Sequence, residues 1–479
     1  MPGEGKTKTY LCIDLKCFYA SVECAARGMD PFSTNLAVAD RSRGRTTICL
    51  AISPALKALG VRNRCRLFEI PEGIPLIVAR PRMRAYMETS ADIYSIYLRY
   101  ICPDDIHVYS IDECFIDATP YLALYGLDAK GLARLLMGDV LAETGITATA
   151  GIGSNLFLAK VALDIGAKHA PDGIGMLDEA SFRRTMWRHE PITDFWNIGP
   201  GIAARLEKYG ARTLYDVARL DESLLYREFG ANAEFLIDHA WGQEPCTIAE
   251  IQAWKPQGHS MMNGQVLPGD YSFSEARMVL REMVEASALD LVAKGLVAGR
   301  VSLFVGYAKK RAGAYSASAS DSDSALALAS APPSTSSDTD GASEGSTAGG
   351  GACFDGGHGR RPAKGYRSFG HANAGRKLSE PTNSFRALLS AAYALFDEEC
   401  DRSRSIRRIS LGLGDLADER FVQKSLFDDS GADPHERVLQ EAMLAVKGKF
   451  GKNSLLKGTS YREKATARER NRQIGGHRA

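Results

Sequence analysis

The sequence predicts an α+β chain of several domains built around a ferredoxin-like core. Three observations point there. Up to about residue 175, strand-like and helix-like stretches alternate in the order β-α-β-β-α-β. An all-helical stretch with a Gly-Pro-Gly turn follows. Then come two strand–helix halves separated by a long run of Ser, Ala, Gly, Asp and Pro.

TYLCIDL (9–15) reads as the first strand and CFYASVECAARG (17–28) as the first helix. Residues 30–82 are an insertion, and a second helix spans about 83–101. HVYSI and CFIDA are two short strands meeting at Asp112-Glu113. Helical spacing returns over 129–143, ITATAGI (146–152) is a last strand, and 155–170 is a helix. Helices are expected on one face of an antiparallel sheet. Residues 190–250 are helical. Within them WNIGPGIAARLEKYGARTLYDVA has the turn of a helix-hairpin-helix, where amides from Gly199 to Gly201 can meet a DNA phosphate. A plain turn between helices is the bland alternative. A strand-like piece, a helix (about 274–294) and the strand GRVSLFVGYAKKR follow. Residues 313–378 lack the apolar surface needed to order themselves. A helix (384–400) and a strand (406–416) complete a small α/β domain. Arg300, Lys309, Lys310, Arg407 and Arg408 give it basic strand edges suited to a phosphate backbone, or simply solvated.

The stretch VYSIDECFID (108–117) sets Asp112 and Glu113 side by side among strand formers, where they repel and spoil an apolar run. Asp14 ends the first strand, which this topology can bring beside the hairpin. Three carboxylates then converge at one sheet edge and cannot all stay ionised without a counter-charge. Mg²⁺ supplies one, taking oxygen ligands and keeping positions for water and phosphate. The alternative is three acids merely exposed at strand ends.

The chain has 479 residues and net charge +1, so the total charge names no partner. Its last 29 residues, 451–479, carry eight Lys/Arg against two Glu, which suits a polyanion or a solvated end. Ten cysteines show neither CxxC pairs nor zinc spacing and read as free thiols of a reducing cytosol. No apolar run approaches the roughly 20 residues of a membrane span, and the N-terminus has no signal core. A cytoplasmic protein without membrane contact is expected.

IDLKCFYASVE, the YSIDE core and AGIGSNLFLAKVALDIGAKHAPDG together resemble Y-family (UmuC/DinB-type) translesion DNA polymerases, over about residues 9–420 apart from the Ser-rich run. SPALKALGV, CRLFEIP and the ending KFGKNSLL…ATARERNRQIGGH are most similar to UmuC-like repair polymerases of Gram-positive bacteria.

The resemblance implies a right-hand fold with palm (1–18, 84–175), fingers (19–83), helix-hairpin-helix thumb (176–250) and little finger (255–312, 379–418). A disordered insert (313–378), a clamp-binding motif (421–429) and a basic tail (430–479) complete it. It implies nucleotidyl transfer in translesion synthesis, an activity of DNA repair, the SOS response and mutagenesis. Asp14, Asp112 and Glu113 match the catalytic carboxylates, and these with the Leu15 carbonyl would hold two Mg²⁺, Mn²⁺ being a substitute. Tyr19 matches the steric gate against a ribose 2′-OH, with Phe18 beside it; Lys57 and Lys168 match triphosphate contacts. Gln423, Leu426 and Phe427 resemble a bacterial sliding-clamp motif. The implied partners are primer-template DNA, deoxynucleoside triphosphates and the clamp, for a monomeric enzyme. Lys16 departs from the acid usual in polymerase IV types, and Pro54-Ala-Leu-Lys57 replaces a Tyr-x-x-Arg. Both bear on triphosphate contacts and leave metal binding untouched. A palm-fold nucleotide cyclase and an inactive DNA-binding accessory protein are the alternatives.

Overall fold

The structure is a computed structural model describing residues 8–167, 170–255, 260–308, 370–421 and 434–478. The chain divides into two units, Met1–Pro256 with Gln473–Ala479, and Gln257–Arg472. Among the described residues no helix is long and apolar enough to cross a membrane, and the nine cysteines are free.

In the first unit β1 (Tyr10–Leu15) leads into α1 (Phe18–Ala25). The insertion folds as β2 (Leu36–Val38), β3 (Ala51–Ile52), α2 (Pro54–Ala58) and β4 (Ile77–Ala79). Its core is its own, built from Ala37, Cys49, Ile52, Leu56 and Val61. Next come α3 (Met83–Tyr97), β5 (Ile106–Val108), β6 (Glu113–Asp117), α4 (Thr119–Tyr125) and α5 (Ala129–Thr144). Then follow β7 (Ala148–Gly153), α6 (Leu156–Val161) and β8 (Ile174–Leu177).

The central sheet has the order β5-β6-β1-β7-β8. Alternation along β1 explains its layers. Leu11, Ile13 and Leu15 pack with Tyr86, Ile93 and Ile96 of α3 and Leu132 and Leu136 of α5. Tyr10 and Cys12 point the other way, onto Leu156, Ala159 and Leu163. Helices thus cover both faces, not one as expected. The sheet is also mixed, because β8, absent from the sequence reading, pairs parallel to β7. The expected helix 155–170 is α6 followed by a π-helical turn, Ala162–Gly166. Glycine lets this helix lie directly on the strands. A Cβ at Gly151 would come 2.0 Å from the Ala159 carbonyl, and one at Gly175 2.0 Å from that of Ala162.

The rest of the unit is helical: α7 (Glu179–Thr185), α8 (Pro200–Glu207), α9 (Leu214–Val217), α10 (Glu222–Phe229), α11 (Ala233–Trp241) and α12 (Ile248–Ala253). Phe182, Leu206, Leu214, Leu225 and Leu236 form its core.

The second unit contains β9 (Met261–Tyr271), α13 (Phe273–Lys294), β10 (Leu296–Tyr307), β11 (His371–Thr382), α14 (Phe385–Glu399) and β12 (Ile406–Asp418). All pairings in its sheet, ordered β11-β10-β12-β9, are antiparallel. The last eight residues of the segment read as disordered, 371–378, belong to β11. This edge strand has no fully buried residue, and its core-facing side offers two alanines and one large aliphatic, Ala372, Ala374 and Leu378, so its apolar alternation is weak.

The basic C-terminal stretch is also more than a tail. α15 (Pro434–Phe450) and α16 (Ala467–Arg470) belong to the second unit. Glu436 accepts from the Ser384 hydroxyl at 2.7 Å, and buried Glu282 accepts from the amides of Thr466 and Ala467 at 2.8 and 3.0 Å. Several of its cations have internal partners: Arg470 donates to Asn263 at 2.8 Å and Lys457 pairs with Glu285 at 3.3 Å. Counting charge along the sequence could not show this. The last residues return to the first unit as a hairpin, β13 (Gln473–Ile474) and β14 (His477–Arg478). Gly475 and Gly476 turn it with φ of 57° and 81°, and Arg43 donates to the Gly476 carbonyl at 2.7 Å.

Candidate active site

The antiparallel register of β1 and β6 sets Asp14 directly opposite Glu113. Side chains opposite each other share a face, so these two meet on the α6 side of the sheet. Asp112 stands just before β6, in the turn from β5. The Leu15 amide donates to its carbonyl at 2.9 Å, and the Ser110 hydroxyl donates to its carboxylate at 2.7 Å. The amides of Tyr109 and Ser110 both donate to the Glu113 carbonyl at 3.0 Å, and Ser90 donates to the Ile111 carbonyl at 2.6 Å. The turn is therefore held at every residue that aims the acids.

Burial first, then the charges of Asp112 and Glu113, push the Asp14 carboxyl up to about 8. Burial raises Glu113 as well, against the pull of Lys160. That lysine, only 8% exposed, was missed by sequence reasoning. Its ammonium lies 2.8 Å from Glu113 and 3.1 Å from Asp164. Its signal was present in the sequence: a lysine inside the apolar run NLFLAKVAL, with an acid four residues on.

The donors fit hard divalent cations: three carboxylates on one sheet end, one of them raised by burial and by the other two acids. Among the described residues no three acidic, His or Cys side chains stand as a finished metal cage. Glu113 is engaged by Lys160 and by the Cys12 thiol at 3.1 Å, and Asp112 by Ser110. Cation binding on these donors would compete with those partners.

Tyr19 follows a tight turn in which Cys17 has φ 51°. Its half-buried ring stacks on Tyr86 with centroids 4.6 Å apart. Tyr86 donates to Glu23 at 2.8 Å, and Arg82 and Arg27 hold the same buried carboxylate. Burial and the nearby Asp112 raise the Tyr19 hydroxyl, and Arg64 opposes the rise. Arg64, on a left-handed turn residue of φ 58°, was not singled out by the sequence. Phe18, expected to contact nucleotide, is 2% exposed; it is a core residue backing Tyr19 at 5.8 Å between rings. Lys57 is exposed at the end of α2. Lys168 lies outside the described residues.

Gly199 and Gly201 open α8 with free space where a Cβ would stand. In the second unit Arg300 pairs with Asp415 at 3.4 Å, Arg407 with Asp270 at 3.6 Å, and Arg408 covers the Phe304 ring at 5.5 Å. Lys309, Lys310, Gln423, Leu426 and Phe427 lie outside the described residues.

Residues 13–164 match the impB/mucB/samB family, and 361–426 match the C-terminal domain of that family. The chain is similar to the "Putative UV-damage repair protein UvrX" of Bacillus subtilis, 28% identical over 98% of each chain. It is also similar to "DNA polymerase IV 2" of the same organism, 29% identical over 98% of this chain and 99% of that one. Among solved structures, a Y-family DNA polymerase chimera of Dbh and Dpo4 shares the fold at TM-score 0.57. It is 17% identical and covers 85% of this chain and 99% of the chimera.

Proposed function

We propose that the chain is a Y-family DNA polymerase of the impB/mucB/samB type and that Asp14, Asp112 and Glu113 are its catalytic carboxylates for template-directed nucleotidyl transfer. The observation that carries this reading is the β1–β6 pair of Asp14 and Glu113 with Asp112 held at the adjoining turn, inside the segment that matches the family. These three, with the Leu15 carbonyl, would hold two Mg²⁺, with Mn²⁺ as a substitute. The chemistry the ions supply when bound is a lowered pKa for the primer 3′-OH and neutralised charge on the triphosphate and the leaving pyrophosphate.

The protein's own groups prepare that arrangement. Burial and the neighbouring acids raise the Asp14 carboxyl to about 8, so a bound counter-charge would favour its ionised form. Ser110 orients Asp112, and Lys160 orients Glu113. Tyr19, held flat against Tyr86, presents a rigid edge where a ribose 2′-OH would clash, so it selects the deoxy sugar. No side chain need form a covalent intermediate; positioning and electrostatics lower the barrier.

The first-unit sheet with its flanking helices is the palm, the insertion over β2 to β4 the fingers, and α7 to α12 the thumb. The second unit is the little finger. Gly199 and Gly201 offer amides to a phosphate, and Arg300, Arg407 and Arg408 lie on strands suited to a DNA backbone. The name of the UvrX relative fits a part in UV-damage repair. Gln423, Leu426 and Phe427 tether the enzyme to a sliding clamp, raising its concentration at the primer end.

Primer extension with Mg²⁺ tests the assignment. Template-directed addition is expected. Conversion of a nucleoside triphosphate to a cyclic product, or DNA binding without extension, would reject it. Leu426→Ala with Phe427→Ala should remove stimulation by the clamp and spare basal extension; equal loss with and without clamp would reject the tether.

A further inference from the structure

Lys160 is placed with more care than a space-filling residue needs. It follows Ala159, whose carbonyl lies 2.0 Å from the Cβ position of Gly151 and whose amide lies 2.2 Å from that of Gly153. The backbone beside Lys160 is thus pressed onto β7 and cannot shift; only the side chain can move. Its ammonium is buried between two carboxylates, Glu113 at 2.8 Å and Asp164 at 3.1 Å. Asp164 comes from the π-helical turn and is 35% exposed, whereas Glu113 is 9% exposed. An ordinary buried ion pair needs one partner. Here the lysine has a buried acid at the sheet end and a second, wetter acid one helical turn away.

We propose that Lys160 is a positioning residue, an internal counter-ion that holds Glu113 at the sheet end and passes its charge to Asp164 when Glu113 ligates a divalent cation. The inference rests on the polymerase reading only in taking Glu113 as a metal ligand. A buried charge that loses its partner is costly. Asp164 removes that cost, so Glu113 can be released without stranding the ammonium. Lys160 and a cation on Glu113 repel, so the lysine also sets how tightly the empty site takes metal.

The experiment is a Mn²⁺ titration of the full chain by electron paramagnetic resonance, without DNA or nucleotide, paired with thermal melts in EDTA and in saturating Mn²⁺. Lys160→Gln should bind Mn²⁺ about tenfold more tightly, because a competing charge is gone. Its melting temperature should fall by several degrees in EDTA and recover most of that loss in Mn²⁺. Asp164→Asn should bind Mn²⁺ about threefold more weakly, since Lys160 then has Glu113 alone. Lys160→Arg should stay near the native protein. Unchanged Mn²⁺ affinity in both neutral variants, with the same thermal loss in EDTA and in Mn²⁺, would overturn the proposal. If Lys160→Gln does not fold, Asp164→Asn decides on affinity alone, for its position is partly exposed. A native chain that binds no Mn²⁺ would overturn the metal-site reading along with it; native binding with indifferent variants would overturn only the role of Lys160.

Discussion

The two sheets of this protein treat charge in opposite ways. At the end of β1 and β6, Asp14, Glu113 and Lys160 are withdrawn from water, and the acids outnumber the single buried cation. On the second unit's sheet, Arg300–Asp415, Arg407–Asp270 and Arg376–Glu398 are one-to-one pairs, each partner well exposed. Such surface pairs contribute little to stability and screen away with salt. Buried charge without enough counter-charge weakens the fold, and it persists where chemistry needs it. On the proposed reading the contrast separates two functions: a bond-making centre in the first sheet, and in the second a face whose arginines can exchange their acids for phosphates.

The sharpest way to break this comparison is Asp112→Ala. If the acids serve catalysis, incorporation should fall by about 10³-fold or more. DNA binding should survive, and the metal-free protein should melt no lower, because a repelling charge has gone. A folded variant that extends primers at the native rate would sink the assignment. A smaller effect is expected at Tyr19→Ala. Removing a shaped wall commonly alters discrimination by about 10–200-fold, so ribonucleotide incorporation should rise relative to deoxynucleotide by that order. An unchanged ratio would leave Tyr19 as packing alone.

The buried site also makes a pH prediction. The Asp14 carboxyl stands at about 8 in the fold against an ordinary 3.8, so between those values the folded chain binds the proton that the unfolded chain has lost. Its contribution to stability is full below about 3.8 and declines as pH rises toward 8. In EDTA, Asp14→Asn should flatten that decline, and saturating Mg²⁺ should flatten it in the native protein. Parallel melting curves against pH for native and variant protein would show that Asp14 carries no unusual proton.

Much of this was legible in the sequence because period and chemistry coincide there. TYLCIDL is a short unbroken apolar run, buried on both faces, that is interrupted by a single acid, so β1 and the position of Asp14 could be read. YSIDE advertised itself by putting two acids among strand formers. What escaped depends on contacts distant in sequence. Nothing in IGML shows that β8 will lie parallel to β7, since the close approach of the π-helical turn at Gly175 permits it. Lys160 reads as an oddity in an apolar helix until the fold brings Glu113 to it. The C-terminal cations look solvated until Glu285 and Asn263 appear beside them. HANAGRKLSEPT offers the core only Ala372, Ala374 and Leu378, a weak apolar face that becomes a strand because β10 offers it a free edge.

The smallest expected effect comes from that edge strand and from the residues before it. Residues 315–365 contain few large apolar side chains, and shortening a long surface connection changes closure entropy by only about 0.6 kcal/mol per halving. Replacing 315–365 by a short Gly-Ser linker should therefore leave primer extension and melting temperature near native values. Extending the deletion to 375 is a different act. It removes His371 to Gly375, which pair with Gly306 through Ser302 of β10. Their loss exposes the β10 backbone and strips five residues of ladder from the side of the sheet that carries the Arg376–Glu398 pair. The longer deletion should lower the melting temperature of the second unit by a few degrees and weaken DNA binding more at high salt than at low, while single-nucleotide addition at saturating DNA stays near native. Equal behaviour of the two deletions would mean that β11 adds nothing to the sheet. Loss of nucleotide addition in the shorter one would mean that the first unit's chemistry depends on a segment whose composition gives no sign of it.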